Sequence, residues 1–131
     1  MAKKLEIMMK ILVVEDDYMI RMLNEKSLEL MEHKVVASAT NGADAIKAAK
    51  KYKPDVILMD IRLTGNLDGI DTMHEISKFS NVPVIYLTIH SDEINRARAA
   101  KTNMLAFCVK PIHFDELKML LAKVKIKGAR K

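Results

Sequence analysis

Four places in this 131-residue chain carry side chains that together could handle a phosphoryl group. Glu15, Asp16 and Asp17 follow an apolar run at 11–14, and Asp60 follows one at 56–59. Thr88 follows a third run at 84–87, and Lys110-Pro111 closes a further one at 105–109. Carboxylates held close together raise one another's pKa unless a cation neutralises them. Oxygen donors of this kind suit a hard divalent ion, Mg²⁺ above all. A carboxylate beside such an ion can act as a nucleophile toward phosphorus. Lys110 would then hold the incoming phosphoryl oxygens by charge and Thr88 by a hydrogen bond. Taken singly, each residue has a plainer reading. An acid just past a strand is often a helix cap, as Asp17 alone would be, and a lone Thr or Lys there means little. The chemistry rests on the four ends acting as one set.

They act as one set only if the elements bring them to one edge. The runs Lys10–Val14, 35–39, 56–59, 84–87 and 105–109 are rich in Val, Ile and Leu and too short for helices, as buried parallel strands should be. Helical spacing fills the gaps. Residues 18–31 set Met19, Met22, Leu23, Leu28 and Met31 on an apolar stripe. Residues 43–51 are alanine-rich behind a capping Asn41, and 69–79 and 114–126 follow the same logic. Ser91-Asp92-Glu93 opens a helix over 92–101. Five βα repeats predict an α/β fold, a doubly wound, flavodoxin-like five-stranded parallel sheet with helices on both faces. In such sheets the ligand site lies at the carboxyl ends of the strands.

Half the residues are apolar and 30% are charged, enough to bury a core and too ordered a composition for a disordered chain. We expect one domain over 1–131, its folded core at about 9–126 and a basic tail at 127–131. No apolar run approaches the roughly 18 residues of a membrane span. The first ten residues lack the apolar core of a signal peptide. Cys108 is the sole cysteine, which excludes an internal disulfide and suits a reducing cytoplasm. The expected setting is therefore cytoplasmic, with no membrane partner. Net charge is +5, yet residues 118–131 hold six basic groups and no acid, leaving 16 basic and 17 acidic groups over 1–117. That concentration reads as a solvated helix end and tail, so no direct nucleic-acid binding is expected.

The segments ILVVEDD at 11–17, PDVILMDIRL at 54–63, LDGID at 67–71, VPVIYLTIHSD at 82–92 and FCVKPIHFDEL at 107–117 resemble the receiver domain of two-component response regulators, the CheY-like fold. The resemblance spans about residues 9–126. It implies that Asp60 is the phosphoacceptor and that Asp16 and Asp60 coordinate Mg²⁺, with Glu15 acting largely through water. It places the backbone carbonyl of Arg62 as a further metal ligand. Thr88 is similar to the switch hydroxyl, Lys110 to the lysine that pairs with the phosphoryl group, and Phe107 to the switch aromatic. The Lys110-Pro111 peptide is implied to be cis. Phe107 also has the plain reading of a core aromatic. The implied mechanism is a local change of charge, read remotely on the face of the fourth helix, fifth strand and fifth helix.

Some positions depart from the pattern. Ile89 stands where a small residue is usual beside the switch hydroxyl, so its branched side chain is expected to narrow access to the acceptor. Arg62 and His90 occupy positions that tune phosphoryl lifetime. The loop Thr64-Gly65-Asn66-Leu67-Asp68-Gly69 lacks the commoner proline, and Asn103 stands at a turn glycine. Asn tolerates the left-handed conformation there. Met19, Met22, Met73, Met104 and Met119 read as core fillers and Cys108 as a small buried hydrophobe. His33, His74 and His113 lack partners at metal-ligand spacing.

The resemblance implies a signalling switch rather than a metabolic enzyme. Its partners would be a sensor histidine kinase or phosphotransfer protein upstream, and a protein downstream. A homodimer through the fourth-helix to fifth-helix face is a family-level option. The chain would be a stand-alone receiver or a fragment of a longer regulator or hybrid kinase. A pseudo-receiver, working without phosphorylation, is the rival module. A haloacid-dehalogenase-like phosphatase would need an Asp two residues past the nucleophile, where Arg62 stands. No G-x-x-x-x-G-K-[ST] loop follows the first strand, which removes a nucleotide hydrolase.

Overall fold

Because successive strand residues point to opposite faces, the apolar runs sort themselves into two cores. The computed structural model describes residues 7–125 and alternates strand and helix throughout. Its elements are β1 (Lys10–Val14), α1 (Tyr18–Leu30), β2 (Lys34–Ala39), α2 (Gly42–Tyr52), β3 (Val56–Asp60), α3 (Gly69–Ile76), β4 (Val84–Thr88), α4 (Glu93–Ala99), β5 (Met104–Val109) and α5 (Phe114–Leu121). The strands form one sheet in the order β2-β1-β3-β4-β5, every neighbouring pair parallel. Leu12, Val14, Ile57, Met59, Val84 and Tyr86 pack with Ala45 and Ala49 of α2 and Ile70, Met73 and Ile76 of α3. Ile11, Val13, Leu58, Ile85 and Leu87 pack on the other face with Leu28 of α1 and Leu117 and Leu121 of α5. This is the expected α/β doubly wound architecture.

Register brings the chemistry to one edge. Val14 pairs with Met59, so Glu15 falls level with Asp60, and Thr88 pairs with Val109, so Lys110 lies one step beyond. Asp17, Asn41, Asp68 and Asp92 cap α1 to α4, each side chain accepting a hydrogen bond from the amide three residues on.

Several expectations are corrected. Asp92, not Ser91, caps α4, because its carboxylate reaches the Asn95 amide at 2.7 Å. The helices α3, α4 and α5 stop earlier than their spacing suggests, at Ile76, Ala99 and Leu121, where turns take over. The apolar stripe expected on α1 is only partly buried: its Leu28 and Met31 are buried together with Asn24, whereas Met19, Met22 and Leu23 are exposed. The sheet accepts one row of the helix, and these three lie on the opposite side. Met119 is also exposed, whereas Met73 is buried and Met104 packs against the core. Asn103 does not adopt a positive φ; its side-chain amide donates to the Asn81 carbonyl, and the left-handed non-glycine turns are at Glu32 and Lys53. Ile126 and the basic tail at 127–131 lie outside the described residues.

Candidate functional site

Asp60 ends β3 in the middle of the sheet, flanked by β1 and β4, and is 4% exposed. Glu15, the first residue past β1, is equally inaccessible, and its amide donates to the Ala39 carbonyl at 3.0 Å. Two further bonds fix it. Arg21 Nη1 donates to the Glu15 backbone carbonyl at 2.9 Å, and the Asp17 amide donates to Glu15 Oε2 at 3.1 Å. Lys110 reaches in from the end of β5. Its Nζ lies 2.8 Å from Glu15 Oε1 and 3.1 Å from Asp60 Oδ1. The Lys110-Pro111 peptide is cis, and the Lys110 amide donates to the Thr88 carbonyl at 2.8 Å. Asp16 is exposed at the rim, and Glu15, Asp16 and Asp60 each offer a carboxylate oxygen within 4.8 Å of the others.

The charges do not balance within the protein. Burial, and then the neighbouring Glu15 carboxylate, push the Asp60 carboxyl up to about 7, while Lys110 pulls in the opposite direction. Burial also works against the Lys110 charge, yet its two carboxylate partners outweigh it and raise its pKa above the ordinary value. Glu15 Oε1 has no aligned hydrogen-bond donor, only the ammonium at 2.8 Å. Three carboxylates facing one ammonium, all with oxygen donors, fit a hard divalent cation such as Mg²⁺. No imidazole or thiol belongs to this cluster.

Backbone packing holds Asp60 in place. The Arg62 amide donates to Asp60 Oδ1 at 3.3 Å, and the Gly69 amide donates to the Ile61 carbonyl at 2.7 Å. Gly69 sits so close to the Asp60 carbonyl that a methyl group there would overlap it. The β3–α3 loop therefore returns tightly onto the strand it left.

The structure thus brings Glu15, Asp16, Asp60 and Lys110 together as expected. Thr88 is buried nearby, but its hydroxyl donates to the His90 carbonyl at 3.0 Å. The Phe107 ring is buried against Tyr86, with centroids 6.3 Å apart, and lies beneath the Arg96 guanidinium at 4.7 Å. Ile89 and His90 are exposed on the loop after β4, and so is Arg62 after β3. Cys108 is buried, and burial pushes its thiol up to about 11. Asp17 is the α1 cap. Sequence reasoning missed Arg21, which fastens Glu15, and Arg98, which ion-pairs with Asp68 and Asp71. Asp68 lies 30 residues from Arg98, so no local pattern announces that pair. A cleft of about 770 Å³ lined by Pro54, Lys78, Phe79, Pro83 and Lys125 lies at the amino ends of β3 and β4, the opposite pole from the acids.

The family model of the response regulator receiver domain matches residues 11–122. The transcriptional regulatory protein PdtaR of Mycobacterium tuberculosis is 32% identical over 108 residues, covering 82% of this chain and 52% of that protein. AfsQ1, a transcriptional regulatory protein of Streptomyces coelicolor, is 32% identical over 123 residues, covering 94% of this chain and 54% of its own length. The chain thus spans about half the length of these curated relatives. Among solved structures, the signal receiver domain of a modulated diguanylate cyclase from Desulfovibrio desulfuricans G20 superposes with a TM-score of 0.84 at 29% identity. That match covers 89% of this chain and 93% of the other. No helix among the described residues is long and apolar enough to cross a membrane. Sequence match, sheet order and the clustered acids agree: this chain belongs to the response regulator receiver domain family of two-component signalling.

Proposed function

We propose that this domain is a phosphoryl-accepting switch whose acceptor is Asp60. The observation that carries the reading is the shared ammonium: Lys110 Nζ lies within 3.1 Å of both Asp60 and Glu15, with Asp16 beside them. A carboxylate oxygen of Asp60 attacks the donor phosphorus as the bond from phosphorus to the donor's nitrogen or oxygen breaks. An aspartyl phosphate remains on Asp60. The attacking carboxyl must be ionised, and burial beside Glu15 resists that. Asp16, Asp60 and the backbone carbonyl of Arg62, with Glu15 behind them, would hold Mg²⁺, which when bound supplies positive charge against the carboxylates and the transferring group. Lys110 stays charged and pairs with the phosphoryl oxygens. Thr88 gives up the His90 carbonyl for a phosphoryl oxygen, and the loop after β4 carries that change to α4 and the Phe107 ring. The domain is a switch rather than a turnover enzyme.

The donor we propose is a phosphohistidine on a sensor histidine kinase or a phosphotransfer protein, in the cytoplasm. Tyr18, Met19, Met22 and Leu23 leave an apolar face of α1 exposed just past the acidic loop, which supports a protein donor docking beside Asp60. Output would pass from the α4–β5–α5 face to a downstream protein. The test is incubation with acetyl phosphate, with and without Mg²⁺, followed by intact mass. A Mg²⁺-dependent adduct absent from Asp60→Asn is expected. No adduct in either the wild type or Ile89→Ala would favour a module that works without phosphorylation.

A further inference from the structure

The helix α4 is attached to the domain in an unusual way. It has seven residues and buries only Ala99, while Ile94 at its start is 76% exposed. Hydrophobic burial, which fixes α2, α3 and α5, therefore does little here. Two arginines hold it instead, two positions apart and so on different sides of the helix. Arg96 lays its guanidinium over the Phe107 ring of β5 at 4.7 Å. Arg98 reaches the other way, to the start of α3. Its Nη1 donates to Asp68 Oδ2 at 3.0 Å and to Asn95 Oδ1 at 2.9 Å, and its Nη2 donates to Asp71 Oδ1 at 3.1 Å.

The anchor for Arg98 is a rigid one. Asp68 and Asp71 form a reciprocal capping box at the start of α3. Gly69, next to that cap, is wedged against the Asp60 carbonyl. Burial would raise the Asp68 carboxyl pKa, but the hydrogen bond and charge of Arg98 outweigh it and lower it. The cap at the other end of α4, Asp92, lies four residues beyond Thr88, whose hydroxyl is engaged by the His90 carbonyl.

From this arrangement we infer that Arg98 is a positioning residue, an ionic strap that holds α4 in the resting state and sets how readily the switch turns. The inference rests on reading Asp60 as a phosphoacceptor. Drawing Thr88 toward a group on Asp60 requires the 89–92 loop to move, and α4 must follow. Each contact that holds α4 in the resting position opposes that movement. A contact made in one state only shifts the equilibrium between the two by its own free energy. An ion pair on a half-exposed guanidinium is also screened by salt.

The test compares wild type with Arg98→Met, which keeps an apolar stem without the charge, and Arg98→Lys, which keeps the charge without the fork. The first readout is amide hydrogen exchange without Mg²⁺ or any acyl-phosphate mimic. The α4 amides of Arg98→Met should exchange about three- to tenfold faster, with those of β3 unchanged and Arg98→Lys in between. Raising the salt concentration should loosen α4 in wild type more than in Arg98→Met. The second readout is titration with beryllofluoride in Mg²⁺, where the apparent Kd of Arg98→Met should fall about three- to tenfold. Unchanged exchange overturns the strap. Faster exchange with unchanged or weaker beryllofluoride binding overturns its role in the switch. If wild type takes no beryllofluoride at all, the phosphoacceptor reading fails, and the exchange experiment still decides whether Arg98 straps α4.

Discussion

The helices α3 and α4 are nearly equal in length and lie next to the same reactive centre, yet they are held by different forces. The eight residues of α3 bury Ile70, Thr72, Met73 and Ile76 and begin with a reciprocal capping box. The seven of α4 bury Ala99 and depend on Arg96 and Arg98 for the rest. One is locked by apolar contact, which is short-ranged and hard to undo in part; the other is held by charge at a wet surface, which can be exchanged for water at small cost. The division suits the switch we propose, in which Asp60 is the acceptor. The acceptor carboxylate must stay in place against Lys110, and α3 supports it through Gly69. The surface that reports on the acceptor must move, and α4 has little to stop it.

The sharpest way to break this comparison is to truncate one apolar residue in each helix. Ile70→Ala should cost about 2–5 kcal/mol in urea unfolding, while Ile94→Ala should cost less than about 0.5 kcal/mol. Similar losses would erase the distinction. The next effect follows from the raised Asp60 carboxyl. Its folded pKa of about 7 lies above the ordinary value of 3.8, so the folded state holds the proton over that range. Without metal, wild type should therefore lose stability as pH rises from about 4 to about 7 and level off above it. Asp60→Asn should lack that decline, and at pH 7.5 it should melt about 5 °C or more above metal-free wild type. Parallel pH profiles for the two proteins would refute the carboxylate crowding. A smaller loss, about 1–3 kcal/mol, is expected for Gly69→Ala, because the added methyl meets the Asp60 backbone and the Met59 side chain. Its beryllofluoride affinity should fall, the reverse of loosening α4. Smallest in stability is Ile89→Ala, on the exposed loop, which should change unfolding by less than about 0.5 kcal/mol. It should speed acetyl phosphate uptake severalfold, and equal uptake rates would show that Ile89 turns aside.

Much of the site was legible because it depends on strand ends. Five apolar runs of the right length imply parallel strands, and parallel strands bring Glu15, Asp60, Thr88 and Lys110 to one edge whatever the loops do. The α1 stripe holds only in part, for a related reason. Periodicity shows that a helix has apolar residues to bury, but not which of them the sheet covers. In α1 the sheet takes Asn24, Leu28 and Met31 and leaves Met19, Met22 and Leu23 outside. The ends of α3, α4 and α5 were set too late, because local spacing carries no record of where neighbouring elements cease to cover a helix.

The sequence by itself determined the strand order's raw material, the two-sided cores and the residue types at the reactive edge, since all of these follow from period-two burial and parallel crossovers. Only the tertiary structure decided which carboxylates share Lys110, that Arg21 fastens Glu15, that the Thr88 hydroxyl rests on His90, and that α4 is strapped by Arg98. Those facts depend on side chains far apart in the chain meeting at distances of about 3 Å, and hydrogen bonds and ion pairs at that range are governed by packing, which no local pattern encodes.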